Sequence, residues 1–138
     1  MGGIHETSAS LGFYGDDLDP DEITIALGAR PTVGVRKGQT WVTEFGAEKV
    51  ARTGSWRVVA QRSPPGDLDG QIAGLLSTLT DDLAVWNDLA SRFRGRLFCG
   101  LFLKAGNEGA TLKPETVLAM GSRGLCLDLD IYGAEMLD

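Results

Sequence analysis

The densest run of reactive side chains lies near the start of the chain, in Gly15-Asp16-Asp17-Leu18-Asp19-Pro20-Asp21-Glu22. Carboxylates at alternate positions are the first ligand spacing of a calcium-binding loop, and Asp17-x-Asp19-x-Asp21 has that spacing. Such a loop also needs glycine at its sixth position and glutamate at its twelfth, where this chain has Glu22 and Gly28. The same residues make a complete helix start. Asp19 can cap free backbone N–H groups, Pro20 fits the first helical position, and Glu22 stands three residues after the cap. Asp19 is therefore read as structural, with no metal expected. A divalent-cation site at Asp16, Asp17, Asp19 and Asp21 is the alternative.

Asp128-Leu129-Asp130 follows an apolar run, as the nucleophile pair of aspartate-based phosphatases does, but the chain ends eight residues later. No room is left for the lysine, hydroxyl and acidic partners of that chemistry, so a solvated strand face is expected. The one histidine is His5, which removes most Ser-His, Cys-His and histidine–metal schemes. Cys99 and Cys126 lie in apolar, strand-like runs and are expected to be buried thiols. Glycine-rich dinucleotide loops, phosphate-cradling loops and paired Cys-x-x-Cys motifs are all lacking, and no cofactor is expected. No catalytic residue can be named. The candidate ligand-binding residues are the cations Arg30, Arg36, Lys37 and Arg123.

The charge distribution supports that choice. Net charge is −6 over 138 residues, which argues against nucleic acid as a partner. Residues 1–29 carry six acids and no base; residues 30–62 carry seven bases and two acids. The basic middle can pair with the acidic ends or form a local anion-binding face. No apolar run is long enough to span a bilayer, and the first residues lack the basic and apolar regions of a signal peptide. The expectations are no membrane partner and a cytoplasmic location. Oligomeric state is not legible.

The elements that must position these groups follow from periodicity. Residues 1–6 read as a flexible tail and 7–138 as a single domain. Thr7 to Tyr14 alternates as a strand with Ala9, Leu11 and Phe13 on one face, and the Asp19 helix ends at Gly28. Residues 31–53 are the least legible; turns at Lys37-Gly38 and Phe45-Gly46 imply hairpin-like strands. Ser55 to Arg62 is a strand with Trp56, Val58 and Ala60 on one face and Arg57 on the other. Asp67 caps a leucine-rich helix, and Thr80-Asp81-Asp82 starts another that carries Trp86. Arg96 to Lys104 is apolar on both faces, as an interior strand is. A helix from Pro114, closed by Gly121, leads to a strand over Leu125–Tyr132, with Leu125, Leu127, Leu129 and Ile131 inward.

Leu18-Asp19-Pro20-Asp21 … Leu27-Gly28-Ala29-Arg30 echoes Leu112-Lys113-Pro114-Glu115 … Met120-Gly121-Ser122-Arg123, which points to a pseudo-duplicated strand–helix unit. The expected architecture is α/β (α+β): a two-layer sandwich with a mixed sheet of five or six strands and helices mainly on one face. The 96–104 strand should be central and parallel to the 125–132 strand, with Trp56, Trp86 and Phe98 buried.

The order of these landmarks resembles the bacterial family called domain of unknown function 4279. It runs from Gly15-Asp16-Asp17-Leu18-Asp19-Pro20-Asp21-Glu22-Ile23 through Leu27-Gly28, Lys37-Gly38, Ser55-Trp56, the leucine-rich helix and the Pro114 helix to Leu127-Asp128-Leu129-Asp130-Ile131-Tyr132-Gly133. The resemblance spans residues 8–134. It implies a compact domain and supplies no catalytic residues. Two functions stand. One is a non-enzymatic binding or protein-interaction module, immunity-protein-like, with an acidic surface facing a basic protein partner. The other is a small enzyme using carboxylates and arginines in a cleft.

Overall fold

The computed structural model describes residues 2–134. The chain runs β1 (Gly2–Gly3), β2 (Glu6–Gly15), α1 (Pro20–Leu27), β3 (Val33–Val35), β4 (Thr40–Val42), β5 (Glu48–Val50) and β6 (Gly54–Val59). It continues α2 (Leu68–Ser77), α3 (Leu83–Arg92), β7 (Arg94–Phe102), β8 (Glu108–Gly109), α4 (Pro114–Ser122) and β9 (Cys126–Tyr132). The main sheet has the order β3-β6-β2-β7-β9. Its pairs are antiparallel except β7–β9, which is parallel through the crossover carrying α4. β1 pairs with β8, and β4 with β5 as a hairpin.

Alternation decides the two faces. In β2, Ala9, Leu11 and Phe13 are buried, and Leu11 stands between Val58 of β6 and Leu97 of β7. All four helices bury their apolar residues in one cluster against this face, among them Ile23 and Leu27, Ile72 and Leu76, Trp86 and Leu89, and Met120. Among the described residues, the four helices all join this one cluster. The result is a two-layer sandwich built on a mixed five-stranded sheet.

Local chemistry sets the helix ends. The Asp19 carboxylate accepts from the Asp21 N–H at 3.0 Å, Pro20 opens α1, and Gly28 closes it in the left-handed region at φ 79°. Asp67 and Asp82 cap α2 and α3 in the same way, accepting from the N–H groups of Gly70 and Ala84. Burying an indole requires a partner for its N–H. Trp56 donates to the Thr24 hydroxyl at 3.0 Å and Trp86 to the Thr80 carbonyl at 2.8 Å, and both rings are fully buried.

Several expectations are corrected. β7 is interior but fourth in order; β2 is the middle strand. Phe98 is 37% exposed because it lies on the face without helices, whose neighbours are Ser10 and Asp128. Cys126 is exposed for the same reason, opposite Arg96. Leu127, Leu129 and Ile131 do point to the helix side, opposite Leu97, Cys99 and Leu101. Yet all three are exposed, since β9 is an edge strand beyond the helix cover. Gly121 lies within α4; the left-handed glycine that stops the helix is Gly124, after which the Leu125 N–H reaches back to the Met120 carbonyl. Residues 2–6, expected as part of a loose tail, are tied down: β1 pairs with β8, Ile4 is buried and Glu6 opens β2.

The two strand–helix units also differ. α1 leads from β2 to a strand two places away, because β6 comes between; α4 leads from β7 to its immediate neighbour. No described helix is long and apolar enough to cross a membrane.

Replacing Trp86 by Ala should lower stability by about 3–5 kcal/mol, the usual loss for a buried aromatic, read from denaturant unfolding. Asp19→Ala should cost about 1 kcal/mol through the lost cap. Added calcium or magnesium should leave the melting temperature of the native chain unchanged. A metal-dependent rise that Asp17→Asn abolishes would contradict the capping role.

Candidate functional site

The open sheet face is made from residues that cannot cover it. Across its middle run Val33, Arg57, Gly12, Arg96 and Cys126 in register. Gly12 makes room for an aromatic ring here: a Cβ on it would come within 2.6 Å of the Tyr14 hydroxyl. The Tyr14 ring therefore lies down over Gly12, between the strands that carry Arg57 and Arg96. The guanidinium of Arg96 sits 5.3 Å from the Tyr14 ring centre and 4.9 Å from that of Phe98, and Arg94 approaches Tyr14 from the same strand at 5.6 Å.

The β4–β5 hairpin stands beside this face, and the space between forms a cleft of about 710 Å³. Tyr14, Ser55, Arg57 and Arg96 line it from the sheet; Trp41 and Lys49 line it from the hairpin; Arg52 and Thr53 line it from the segment joining β5 to β6. Four cations and no carboxylate are in that lining. The turn at Phe45-Gly46 makes the hairpin, with Gly46 in the left-handed region at φ 82°, and so fixes where Trp41 and Lys49 stand.

Arg96 is the most constrained of the four. Partial burial works against its charge, but the Asp128 carboxylate at 3.1 Å and Tyr14 more than restore it, so its pKa is raised. Its Nε is shut off from solvent and has no hydrogen-bond partner. The Nε of Arg123 on the helix side is in the same state, so this feature does not distinguish the cleft.

The cations named from sequence go elsewhere. Arg36 pairs with Asp19 at 2.8 Å and Lys37 with Asp16 at 3.2 Å, both at the surface near the start of α1. That hydrogen bond and charge from Lys37, with a hydrogen bond from Thr53, lower the pKa of Asp16. Arg30 is exposed just before β3. Arg123 lines a groove of about 590 Å³ on the helix side with Thr80, Glu115 and Ala119. There it donates to the Ala119 carbonyl at 3.1 Å and stacks 5.5 Å from the Trp86 ring. Of the four, only Arg123 lines that groove, and none lines the basic cleft. Asp16 and Asp19 are engaged by the cations just named, and Asp17 and Asp21 are exposed. Among the described residues no group of three or more His, Cys, Asp or Glu is arranged to hold a metal.

Tyr14, Trp41, Lys49, Arg52, Arg57 and Arg96 are therefore the candidate residues that motif reading passed over. Their one signal in the sequence was the basic excess of residues 30–62, which contains Lys49, Arg52 and Arg57.

The family model described as a domain of unknown function, DUF4279, matches residues 5–134. The chain belongs to this family. The match covers every strand of the main sheet, and with them the sheet wall of the cleft. No curated protein and no solved structure matches the chain.

The two thiols differ sharply. Burial, with a smaller effect from the Asp128 charge, pushes the Cys99 thiol up to about 11, so at neutral pH it is protonated and enclosed. Cys126 is exposed on the open face. A thiol reagent at pH 7.5 should therefore modify one cysteine in the native protein and both after denaturation. Cys126→Ser should abolish native labelling; persistent labelling of that variant would place Cys99 in contact with solvent.

Proposed function

We propose that this chain is a non-enzymatic binding module that holds an anionic group of a partner in the cleft between the open sheet face and the β4–β5 hairpin. The observation that carries this reading is the lining itself: Lys49, Arg52, Arg57 and Arg96 converge on one concavity with Tyr14 and Trp41, and no acid lines it. Guanidinium groups match carboxylate and phosphate oxygens in paired hydrogen bonds. Arg96 is held in place by the aromatic rings beneath it and by Asp128, which reduces the ordering cost of binding. The interaction surface is thus basic, although the chain as a whole carries −6.

A second reading, catalysis by carboxylates and arginines, has one observation on its side: the Arg96–Asp128 pair beside the Tyr14 ring. It is weaker because Asp128 is engaged in that ion pair and lies outside the cleft lining, which holds no carboxylate. The groove beside Arg123 is a poorer anion site, since Glu115 and Asp81 line it too.

Calorimetric titration with pyrophosphate and with a hexaglutamate peptide tests the binding reading. At least one should bind, more weakly as salt rises. Arg57→Ala and Arg96→Ala should each weaken binding by about tenfold or more, the equivalent of one charge-assisted hydrogen bond. Arg62→Ala should change nothing, because Arg62 is outside the cleft and paired with Glu6. Failure of both probes to bind, or equal binding by the Arg57 variant, would overturn the assignment.

A further inference from the structure

A different surface, joined to the basic cleft only through the Arg96–Asp128 pair, is left unpaired among the described residues at the far edge of the sheet. β9 is seven residues long and, among the described residues, pairs only with β7. The Leu103 N–H donates to the Tyr132 carbonyl at 3.0 Å, so the main chain of Tyr132 faces β7. Backbone groups of successive residues in a strand point to opposite sides. Asp128 and Asp130 therefore also bond inward to β7, and Leu127, Leu129 and Ile131 turn their N–H and C=O groups outward.

The side chains of those same three residues are exposed by 37%, 48% and 58% on the helix side of the sheet. Asp128 and Asp130 stand on its open face, on alternate positions. Edges of sheets are ordinarily shielded by lysine, proline, a bulge or shortness. The opposite edge, β3, is three residues long; β9 is seven, without lysine, proline or a bulge, and its shielding charges are Asp128 and Asp130.

The charge pattern decides what fits. Pairing with a second copy in the symmetric antiparallel arrangement centred on Leu129 would set each Asp128 against the partner's Asp130. Like charges directly opposite one another destabilise a strand pair. A strand with a basic residue opposite Asp130 would instead gain an ion pair there, and one opposite Asp128 would share that carboxylate with Arg96, while its alternate apolar residues cover Leu127, Leu129 and Ile131.

We propose that the outer edge of β9 docks an extended segment of a partner protein in which basic and apolar residues alternate, adding a sixth strand to the sheet. Main-chain bonds supply the attachment, and Asp130, which has no cation partner among the described residues, does most to select the sequence.

The probe is a synthetic capped heptapeptide, Val-Lys-Val-Lys-Val-Lys-Val, titrated into the full chain and followed by amide hydrogen exchange. Exchange should slow at the amides of Leu127, Leu129 and Ile131. The analogue with glutamate in place of lysine should protect them at least about tenfold less well at equal concentration. Leu129→Pro should abolish docking without altering the melting temperature, because the N–H it removes faces outward and serves no bond to β7. Asp130→Lys should turn the preference toward the glutamate peptide, and it tests the idea even if the proline variant does not fold. Equal protection by both peptides, protection at other strands only, or a concentration-dependent dimer lost on Leu129→Pro would each overturn the proposal; the last would make a second copy the occupant.

Discussion

β2 bonds to β7 along nine of its ten residues, Glu6 to Tyr14, and to β6 along six, Ser10 to Gly15. Because side chains alternate strictly along a strand, this double registration fixes the facing of both neighbours at once. Leu11 sets Val58 and Leu97 toward the helices, and Gly12 sets Arg57 and Arg96 away from them. A slip of one residue on either side would exchange the core for the open face. The three strands stand or fall together, and β3 and β9 are added to them.

The helices are locked to this sheet by a few polar contacts at its rim. Buried Thr7 shares its hydroxyl with the Asp67 N–H and the Gln71 side chain, and the Gln71 amide donates to the carbonyls of Thr7 and Gln61. This joins the start of α2 to the start of β2. At the other end Phe13 meets Trp86 at 6.0 Å between ring centres, and Trp86 is tied to Thr80 before α3. Back at the Thr7 end, the Lys113 N–H and Thr116 lower the pKa of Asp69, tying the start of α2 to the start of α4.

Binding capacity arises where this packing stops. The four helices fill one side of the sheet and leave the other to small and charged residues: Ser8, Ser10, Gly12, Arg57 and Arg96. Aromatic rings there lie flat on glycines rather than projecting, Tyr14 over Gly12 and Phe102 over Gly100. Phe102 also stacks on Tyr132 at 4.7 Å with Arg62 above it. Such a face is polar enough to remain in water yet rigid enough to hold cations in fixed places. The hairpin turns part of it into a concavity, and the family match includes both.

The elements were legible because their causes are local. Asp19-Pro20, Asp67 and Asp82 cap helices with their own neighbours, and the alternation in β2 states which side is apolar. The parallel return from β7 to β9 followed from the helix between them. What periodicity could not state is whether an apolar face has a cover. Phe98, Leu127, Leu129 and Ile131 have the same pattern as core residues, and only their distance from the helices leaves them exposed. The basic cleft was hidden for a related reason. Tyr14, Trp41, Lys49, Arg57 and Arg96 come from five separate strands, and no spacing along a chain encodes that meeting. The sequence by itself determined caps, turns, the apolar side of each strand and a basic middle, all of which act over a few residues. Strand order decided which cations converge and which edge stays open, because both depend on neighbours brought together only by folding.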